Sequence, residues 1–153
     1  MADTSLNENR LGILIWQTSN LWQSKIRQTL KETNITFNEY LILETLYKLQ
    51  DSKNNITQQE ICKNSCIDRS VASLKITSLE QKKLLSRSRP QDKRSYGLTL
   101  TKNGNILVES LINIIENQEN IIFEKLGSEI FNFTNSLKLL LGKKIRIKAK
   151  LND

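Results

Sequence analysis

The chain has 153 residues, a formal net charge of +7 and an apolar fraction of 38%, which is enough for one domain whose core needs no disulfide or metal. It contains no histidine, the commonest general base and metal ligand, and no apolar run approaches the roughly 18 residues of a membrane span. Because it also lacks a glycine-rich phosphate loop and paired carboxylates in an apolar setting, we expect a protein that is not an enzyme and has no cofactor, metal or membrane span. The first ten residues lack the basic and apolar regions of a signal peptide, so we expect a cytoplasmic protein.

Basic residues are concentrated in two segments. They outnumber acids over residues 60–102, and the segment 143–150 (KKIRIKAK) contains no acid, whereas the remainder of the chain is net negative. Such placement is typical of a protein that contacts a polyanion, although a solvated basic face is the alternative. Cys62 and Cys66 cannot complete a zinc site within one chain, so we interpret them as reduced thiols, at least one of them in the core; a redox sensor is the alternative.

Helices dominate the first half of the chain. The apolar spacing predicts a long helix over about residues 6–33, ended by Asn34, and then helices over about 37–50 and 57–64. Each begins with a capping box, in which a hydroxyl residue precedes a glutamate by three positions: Ser5/Glu8, Thr36/Glu39 and Thr57/Glu60. Asp68 is a favourable N-cap for a fourth helix over about 69–82, whose inner face carries Ala72, Ile76 and Leu79.

A hairpin follows these helices. Alternating residues predict strands over about 84–89 and 95–101, with Tyr96, Leu98 and Leu100 on one face, joined by a proline-containing basic turn. Thr101 can cap a second long helical region, which a break at Gly127 separates from a final helix. We therefore predict a mainly α fold of the α+β winged helix-turn-helix type, with about six helices and a two- to three-stranded wing hairpin.

The segment 67–104 contains the residues that fit DNA. A helix that enters the major groove needs a small, polar outer face, and Arg69, Ser70, Ser73 and Thr77 form one, with Arg69 and Ser70 beside the free N–H groups of the helix start. The hairpin carries the basic residues that suit a narrow minor groove: Arg87, Arg89, Lys93 and Arg94. The alternative is a small α+β domain whose hairpin and serines are ordinary solvated surface.

The flanking helices have wider apolar stripes than the winged core requires. We expect residues 6–33 and 106–147 to pack against a second copy with two-fold symmetry, and 36–101 to form the DNA-binding lobe of a single domain, 1–153. An intrachain three-helix bundle is the alternative. A dimer would place its recognition helices about 34–36 Å apart, one turn of DNA, and would match a pseudo-palindromic operator.

These residues also resemble the MarR (multiple antibiotic resistance regulator) family of winged-helix transcription factors over about residues 10–145. The similar positions are the start of the second helix (Ile35, Thr36, Glu39, Tyr40), the third helix (Thr57, Gln58, Glu60, Ile61, Cys62), the recognition helix (Asp68 to Ser73, then Leu79, Glu80 and Lys82) and the wing (Asp92, Lys93, Arg94, then Leu100, Thr101 and Gly104). The resemblance implies that Asp92 pairs with an arginine to set the wing loop, that Arg94, with Lys93, approaches the minor groove, and that the outer helices form a dimer with a ligand cleft between dimer stem and DNA-binding lobe.

The sequence departs from the family pattern at several positions. Leu74 stands where many members carry a base-contacting polar residue, and Lys75 occupies a usually apolar position, so its stem would pack while its amine reaches solvent. Cys66 and Lys83 stand where glycine is common, and Ser65 where an apolar residue is. The reactive cysteine and the histidines of the thiol-sensing and zinc-sensing branches are absent, so the resemblance does not transfer an effector class.

We therefore hypothesise a homodimeric, sequence-specific regulator of transcription that binds double-stranded DNA, acts as a repressor and responds to a small-molecule effector. Its DNA-binding residues include Leu74 on the outer helix face. The alternative is a winged-helix module that binds a protein without specific DNA readout, and the exposed position predicted for Leu74 is the feature that supports it.

Overall fold

The computed structural model describes residues 10–88 and 96–147, and these form six α-helices and one two-stranded antiparallel hairpin. In chain order the elements are α1 (Leu11–Leu30), α2 (Phe37–Leu49), α3 (Gln58–Ser65), α4 (Arg69–Gln81), β1 (Leu85–Ser88), β2 (Gly97–Leu100), α5 (Lys102–Phe123) and α6 (Ile130–Leu140). Short 3-10 turns, Lys31–Thr33 and Glu124–Glu129, follow α1 and α5. The predicted mainly α, winged helix-turn-helix fold is confirmed.

The helix boundaries follow the local chemistry of the sequence. Both predicted capping boxes within the described residues form: the side chains of Thr36 and Thr57 accept from the N–H groups of Glu39 and Glu60, whose carboxylates accept from the threonine N–H groups in return. Asn34 ends the first helical segment in the left-handed conformation, with φ of 57°. The Ser5/Glu8 box lies outside the described residues.

The hairpin is shorter than its sequence pattern. Leu85 pairs with Leu100 and Ser88 with Gly97, and a third segment contributes a single bridge, since the N–H of Leu98 donates to the carbonyl of Ile56 at 2.8 Å. Because β2 begins at Gly97, Tyr96 precedes the strand and is 48% exposed, whereas Leu98 is buried. The expectation that Tyr96 shares the inner face of a strand with Leu98 is therefore wrong.

The core lies where α1, α2, α3, α4, the hairpin and the first part of α5 contribute apolar side chains. Its fully buried members include Ile26, Leu30, Tyr40, Ile42, Leu43, Leu46, Ile61, Ile76, Leu79, Leu85, Leu98 and Leu111. Cys62 packs against this core and Cys66 is exposed, in agreement with the interpretation that at least one thiol is packed.

The chain divides into two compact units, Met1–Glu116 and Asn117–Asp153. The first contains the core. In the second, none of the described residues 117–147 is buried, although α6 and the residues after it are rich in leucine and isoleucine. Asn135 holds the segment that follows α6, since its amide nitrogen donates to the Arg146 carbonyl at 2.7 Å and its amide oxygen accepts from the Arg146 N–H at 3.1 Å.

None of the helices in the described part of the chain combines the length and the apolar character needed to cross a bilayer.

Candidate nucleic-acid interface

The candidate recognition helix α4 begins at a carboxylate. Asp68 accepts from the Ser70 N–H at 2.9 Å and from the Ser70 hydroxyl at 2.6 Å. These two hydrogen bonds, with a further one from the Val71 N–H, outweigh a small desolvation effect and lower the pKa of Asp68. The expectation that the N–H groups at this helix start are free is therefore wrong at Ser70, because the N-cap carboxylate occupies it. Arg69 and Ser70 remain exposed.

The outer face of α4 carries the predicted residues. Ser70, Ser73, Leu74 and Thr77 are all exposed, whereas Ala72, Ile76 and Leu79 are fully buried on the opposite side. Residues three and four apart lie on one side of a helix, so the four outer residues form one continuous surface. Lys75 is half-buried beside the core face, which agrees with a lysine whose stem packs and whose amine reaches solvent.

The turn between α3 and α4 sets the entry of the recognition helix. Cys66 ends α3 in the left-handed conformation, with φ of 57°. Ser65 stands where an apolar residue was expected from the family pattern, and its hydroxyl donates to the Ile61 carbonyl at 2.6 Å and so satisfies the end of α3. The Gln58 amide also donates to the carbonyl of Arg69 at 3.4 Å, which links the starts of α3 and α4.

A buried carboxylate fixes the other end of α4. Glu39 is 1% exposed and its oxygens accept from the Ser78 hydroxyl at 2.6 Å, the Thr36 N–H at 2.8 Å and the Lys82 amine at 2.9 Å. The same amine donates to the carbonyl of Asn34 at 2.6 Å. The recognition helix is therefore tied to the start of α2 through charged and hydrogen-bonded contacts as well as apolar packing.

The titration of Glu39 reflects these partners. Burial alone would raise its pKa, but the hydrogen bonds from Ser78, Thr36 and Lys82, together with the charge of Lys82, outweigh burial, and the pKa of Glu39 is lowered. The carboxylate is thus ionised at neutral pH. The sequence pattern predicts Glu39 only as a capping residue and does not predict its buried contacts with Ser78 and Lys82. The available signal is its position beside the apolar Tyr40 and Leu43, where a surface glutamate is not expected.

The first strand of the wing contacts the recognition helix. Arg87 donates to the Thr77 hydroxyl at 2.8 Å and forms an ion pair with Glu80 at 3.4 Å. The structure places Arg87 at the outer face of α4, beside Thr77, and its predicted contact with DNA stays a prediction. The other wing residues assigned from sequence, Arg89, Asp92, Lys93 and Arg94, lie outside the described residues, so their roles stay predictions.

The end of the wing explains a sequence signature. The Thr101 hydroxyl donates to the Lys83 carbonyl at 2.7 Å and accepts from the Gly104 N–H at 3.0 Å, so one side chain caps α5 and fastens it to Lys83, two residues before β1. A Cβ on Gly104 would collide with the carbonyl oxygen of Leu84. The spacing Thr101-x-x-Gly104 is therefore required by a hydrogen bond and a close backbone approach.

Within residues 10–88 and 96–147 no group of three or more acidic or cysteine side chains is placed to hold a metal ion. A cavity of about 400 Å³ lies beside the end of α1 and the start of α2. Its lining residues are Arg27, Leu30, Lys31, Asn34, Ile35, Thr36, Phe37 and Lys82.

Known proteins share this sequence pattern and geometry. Residues 24–111 match the family model of the transcriptional regulator SarA/Rot. The HTH-type transcriptional regulator YdcH of Bacillus subtilis is 29% identical over 131 residues, which cover 85% of this chain and 88% of that protein.

Two solved structures are similar along almost their whole length. The S. aureus MepR–DNA complex has a TM-score of 0.76 and 26% identity, and covers 89% of this chain and 97% of its own. NadR in complex with 4-hydroxyphenylacetate has a TM-score of 0.72 and 25% identity, and covers 86% of this chain and 94% of its own. Because the family is one of transcriptional regulators, the prediction that the chain is not an enzyme is confirmed. The chain belongs to the SarA/Rot family of transcriptional regulators and is a winged helix-turn-helix regulator of the MarR type.

Proposed function

We propose that this regulator binds double-stranded DNA as a homodimer, with α4 in the major groove and the wing at the minor groove, and that it represses transcription from a pseudo-palindromic operator. The observation that carries the proposal is the exposed outer face of α4. Its small residues Ser70, Ser73 and Thr77 allow close approach to base edges, while buried Glu39 and the Arg87 contact fix the orientation of the helix.

Charge supports a duplex as the ligand. The chain carries a net charge of +7, and bases outnumber acids over residues 60–102, which include α4 and the hairpin. Phosphate contacts release counterions, so about six to ten of them give a log–log slope of affinity against salt of about −5 to −9. The function requires access to chromosomal DNA, in keeping with the cytoplasmic location predicted from the sequence.

The apolar surface of the flanking helices supports the homodimer. Leu11, Ile15 and Trp16 in α1 are 75%, 49% and 65% exposed. In the terminal unit the most exposed large apolar residues are Leu139 (66%), Leu140 (74%), Leu141 (65%) and Ile147 (87%). Apolar side chains exposed to this extent are typical of a surface that a second copy covers.

The cavity at the end of α1 supports a small-molecule effector. Three cations, Arg27, Lys31 and Lys82, line it together with Phe37, and the Arg27 guanidinium lies 5.3 Å from the centroid of the Phe37 ring. This combination fits an aromatic acid, the chemical class of the ligand in the NadR complex.

Fluorescence anisotropy with labelled duplexes from a random pool, titrated at rising salt, tests DNA binding. We expect binding at low salt with the slope above, and Arg69→Ala and Arg94→Ala should each weaken binding to all sequences. Lys48→Ala is the control, because Lys48 is exposed on α2 and pairs with Glu44. Absence of duplex binding at low salt would refute the proposal, and an Arg94→Ala variant that binds like the wild type would refute the wing assignment alone.

The effector site has its own experiment. The Trp22 ring lies 5.3 Å from the Phe37 ring, edge to face, so its fluorescence in a Trp16→Phe background should change when 4-hydroxyphenylacetate is titrated. Arg27→Met should weaken this response, and Lys25→Met, which removes an exposed cation of the same helix outside the cavity, should not. Equal responses of the two variants would refute this site.

A further inference from the structure

We infer that Leu74 is a specificity-determining residue that reads the 5-methyl group of thymine in the major groove. The inference rests on the proposed function, because it requires α4 to lie in the groove. Leu74 is 72% exposed, and it follows Ser70 by four residues and precedes Thr77 by three, so the three side chains share the outward face of the helix.

Two of the hydroxyl groups that flank Leu74 are already engaged as donors. The Ser70 hydroxyl donates to Asp68 at 2.6 Å, and the Thr77 hydroxyl donates to the Ser73 carbonyl at 3.1 Å while it accepts from Arg87 at 2.8 Å. These two residues therefore offer acceptor lone pairs rather than free donors to a base edge. Donation from Ser70 and Thr77 to the bases is limited, and Leu74 adds an apolar contact between them.

Leu74 is chemically suited to that contact. Its side chain has no hydrogen-bonding atom, so over the polar edge of guanine, cytosine or adenine it would remove water from groups that it cannot satisfy. Thymine alone presents a methyl group in the major groove, and apolar side chains contact that methyl in protein–DNA complexes. An exposed leucine on a groove-facing helix is thus favourable above thymine and unfavourable above the other bases.

Position on the helix agrees with this role. The core-facing residues Ala72, Ile76 and Leu79 are each 0% exposed, and at about 100° per residue Leu74 lies nearly opposite their mean direction. The surface that lies opposite the core is the part of a recognition helix that goes deepest into the groove. Leu74 is therefore directed at base edges rather than at the phosphates.

The experiment compares one selected duplex made with thymine and with uracil. The duplex is first isolated from a random pool with the wild-type protein, and the uracil form is then made by amplification with dUTP in place of dTTP. Loss of one buried methyl weakens binding by about fourfold for each half-site, and about fifteenfold for two half-sites. Leu74→Ala should bind the thymine duplex more weakly than the wild type and should bind both duplexes nearly equally.

Lys48→Ala is the control, because Lys48 is exposed on α2 and is not part of the recognition surface. It should keep the wild-type ratio of thymine to uracil affinity, and thermal unfolding should show that both variants fold like the wild type, because both positions are exposed. If the preference for thymine over uracil is lost in Leu74→Ala and kept in the control, this double-mutant cycle of protein and base changes assigns the preference to Leu74.

Each other outcome has a definite meaning. Equal affinity of the wild type for the two duplexes, or an equal loss in the wild type and in Leu74→Ala, overturns the inference and leaves DNA binding intact. Failure to select any duplex overturns the proposed function. Retained protein-partner binding that depends on Leu74, without DNA binding, would instead assign the residue to a protein interface.

Discussion

The two units of the chain differ in how their apolar side chains are satisfied. Among the described residues of the first unit, nineteen apolar side chains from Ile26 to Ile115 form a buried core. The polar residues around them have partners, such as Glu39 with Ser78 and Lys82. In the second, none of the described residues 117–147 is buried, although leucine and isoleucine recur along α6. The first unit is specified by contacts within one chain, whereas the exposed apolar residues of the second are the ones that we propose a second copy covers.

The largest expected effect is the loss of the dimer when charges are placed on the apolar surface of the terminal unit. Leu137 and Leu141 are four residues apart and share one side of the helix, so the double substitution Leu137→Glu with Leu141→Glu should place two charges in the dimer interface and convert the dimer to a monomer. Light scattering after size exclusion measures the mass directly.

Leu74→Glu is the control for that experiment. Leu74 is exposed to a similar extent, 72% against 65% for Leu141, but it lies on α4, so this variant should remain a dimer. A wild-type protein that is monomeric at micromolar concentration, or a double variant that stays dimeric, would contradict the assignment of the terminal unit.

The next effect concerns the buried carboxylate of the first unit. Glu39→Ala leaves the Ser78 hydroxyl and the Thr36 N–H without their acceptor and the Lys82 amine with only the Asn34 carbonyl, and should lower the free energy of unfolding by about 3 kcal/mol. Urea denaturation measures this change. Glu44→Ala is the control, because Glu44 lies on the same helix in an exposed pair with Lys48 and its removal should cost less than about 1 kcal/mol.

The pH dependence of stability provides a second measurement on Glu39. Its pKa is lowered in the folded protein relative to the ordinary glutamate value of 4.5, so its contribution is fully present above that value and is lost as the pH falls through the folded pKa. The wild type should therefore lose stability below about pH 4.5, and Glu39→Ala should lose less over the same interval. Parallel pH curves for the two proteins would show that Glu39 is not the titrating group.

A smaller effect tests the junction between the wing and α5. Gly104→Ala introduces a Cβ against the Leu84 carbonyl, so the backbone must move and the free energy of unfolding should fall by about 2 kcal/mol. Gly12→Ala is the control, since a Cβ at Gly12 meets nothing within 4 Å and a glycine-to-alanine change inside a helix stabilises by about 0.5–1 kcal/mol. Equal effects at the two glycines would contradict the close approach.

The smallest effect should be stabilising. Lys83 adopts φ of 59° before β1, a conformation that costs a residue with a Cβ about 1 kcal/mol and costs glycine little. Lys83→Gly should therefore raise the free energy of unfolding, within about 1 kcal/mol. The control Lys63→Gly, in the last turn of α3, should lower it by a similar amount; a destabilised Lys83→Gly variant would show that the lysine side chain matters more than the backbone.

The local elements were predictable because their signals are contained in a few neighbouring residues. Capping at Thr36, Thr57 and Asp68 set the starts of α2, α3 and α4 to within a residue, and Asn34 and Gly127 marked the ends of helical segments. Cys66 and Lys83 stand where glycine is common in the family pattern. Both residues adopt the left-handed conformation that favours glycine.

Contacts between distant residues were not predictable in the same way. Glu39 and Ser78 are 39 positions apart, and nothing in either neighbourhood specifies the other. Arg87 looked like one of several equivalent wing cations, yet the strand register turns it toward Thr77 and Glu80. Such pairings arise from the three-dimensional packing of α2, α4 and β1, which composition and periodicity do not encode.

The ties at the C-terminal part of α4 have a consequence for regulation. Lys82 joins Glu39 and the Asn34 carbonyl, while Arg87 joins Thr77 of the helix to β1, so a tilt or slide of the recognition helix alone would break the part-buried Lys82–Glu39 ion pair and the Arg87 contact. In a dimer, an effector would then alter DNA affinity by moving each lobe as a rigid body and changing the separation of the two helices. Such a regulator selects operators by half-site distance in its induced and uninduced states, and its base preference within each half-site stays constant.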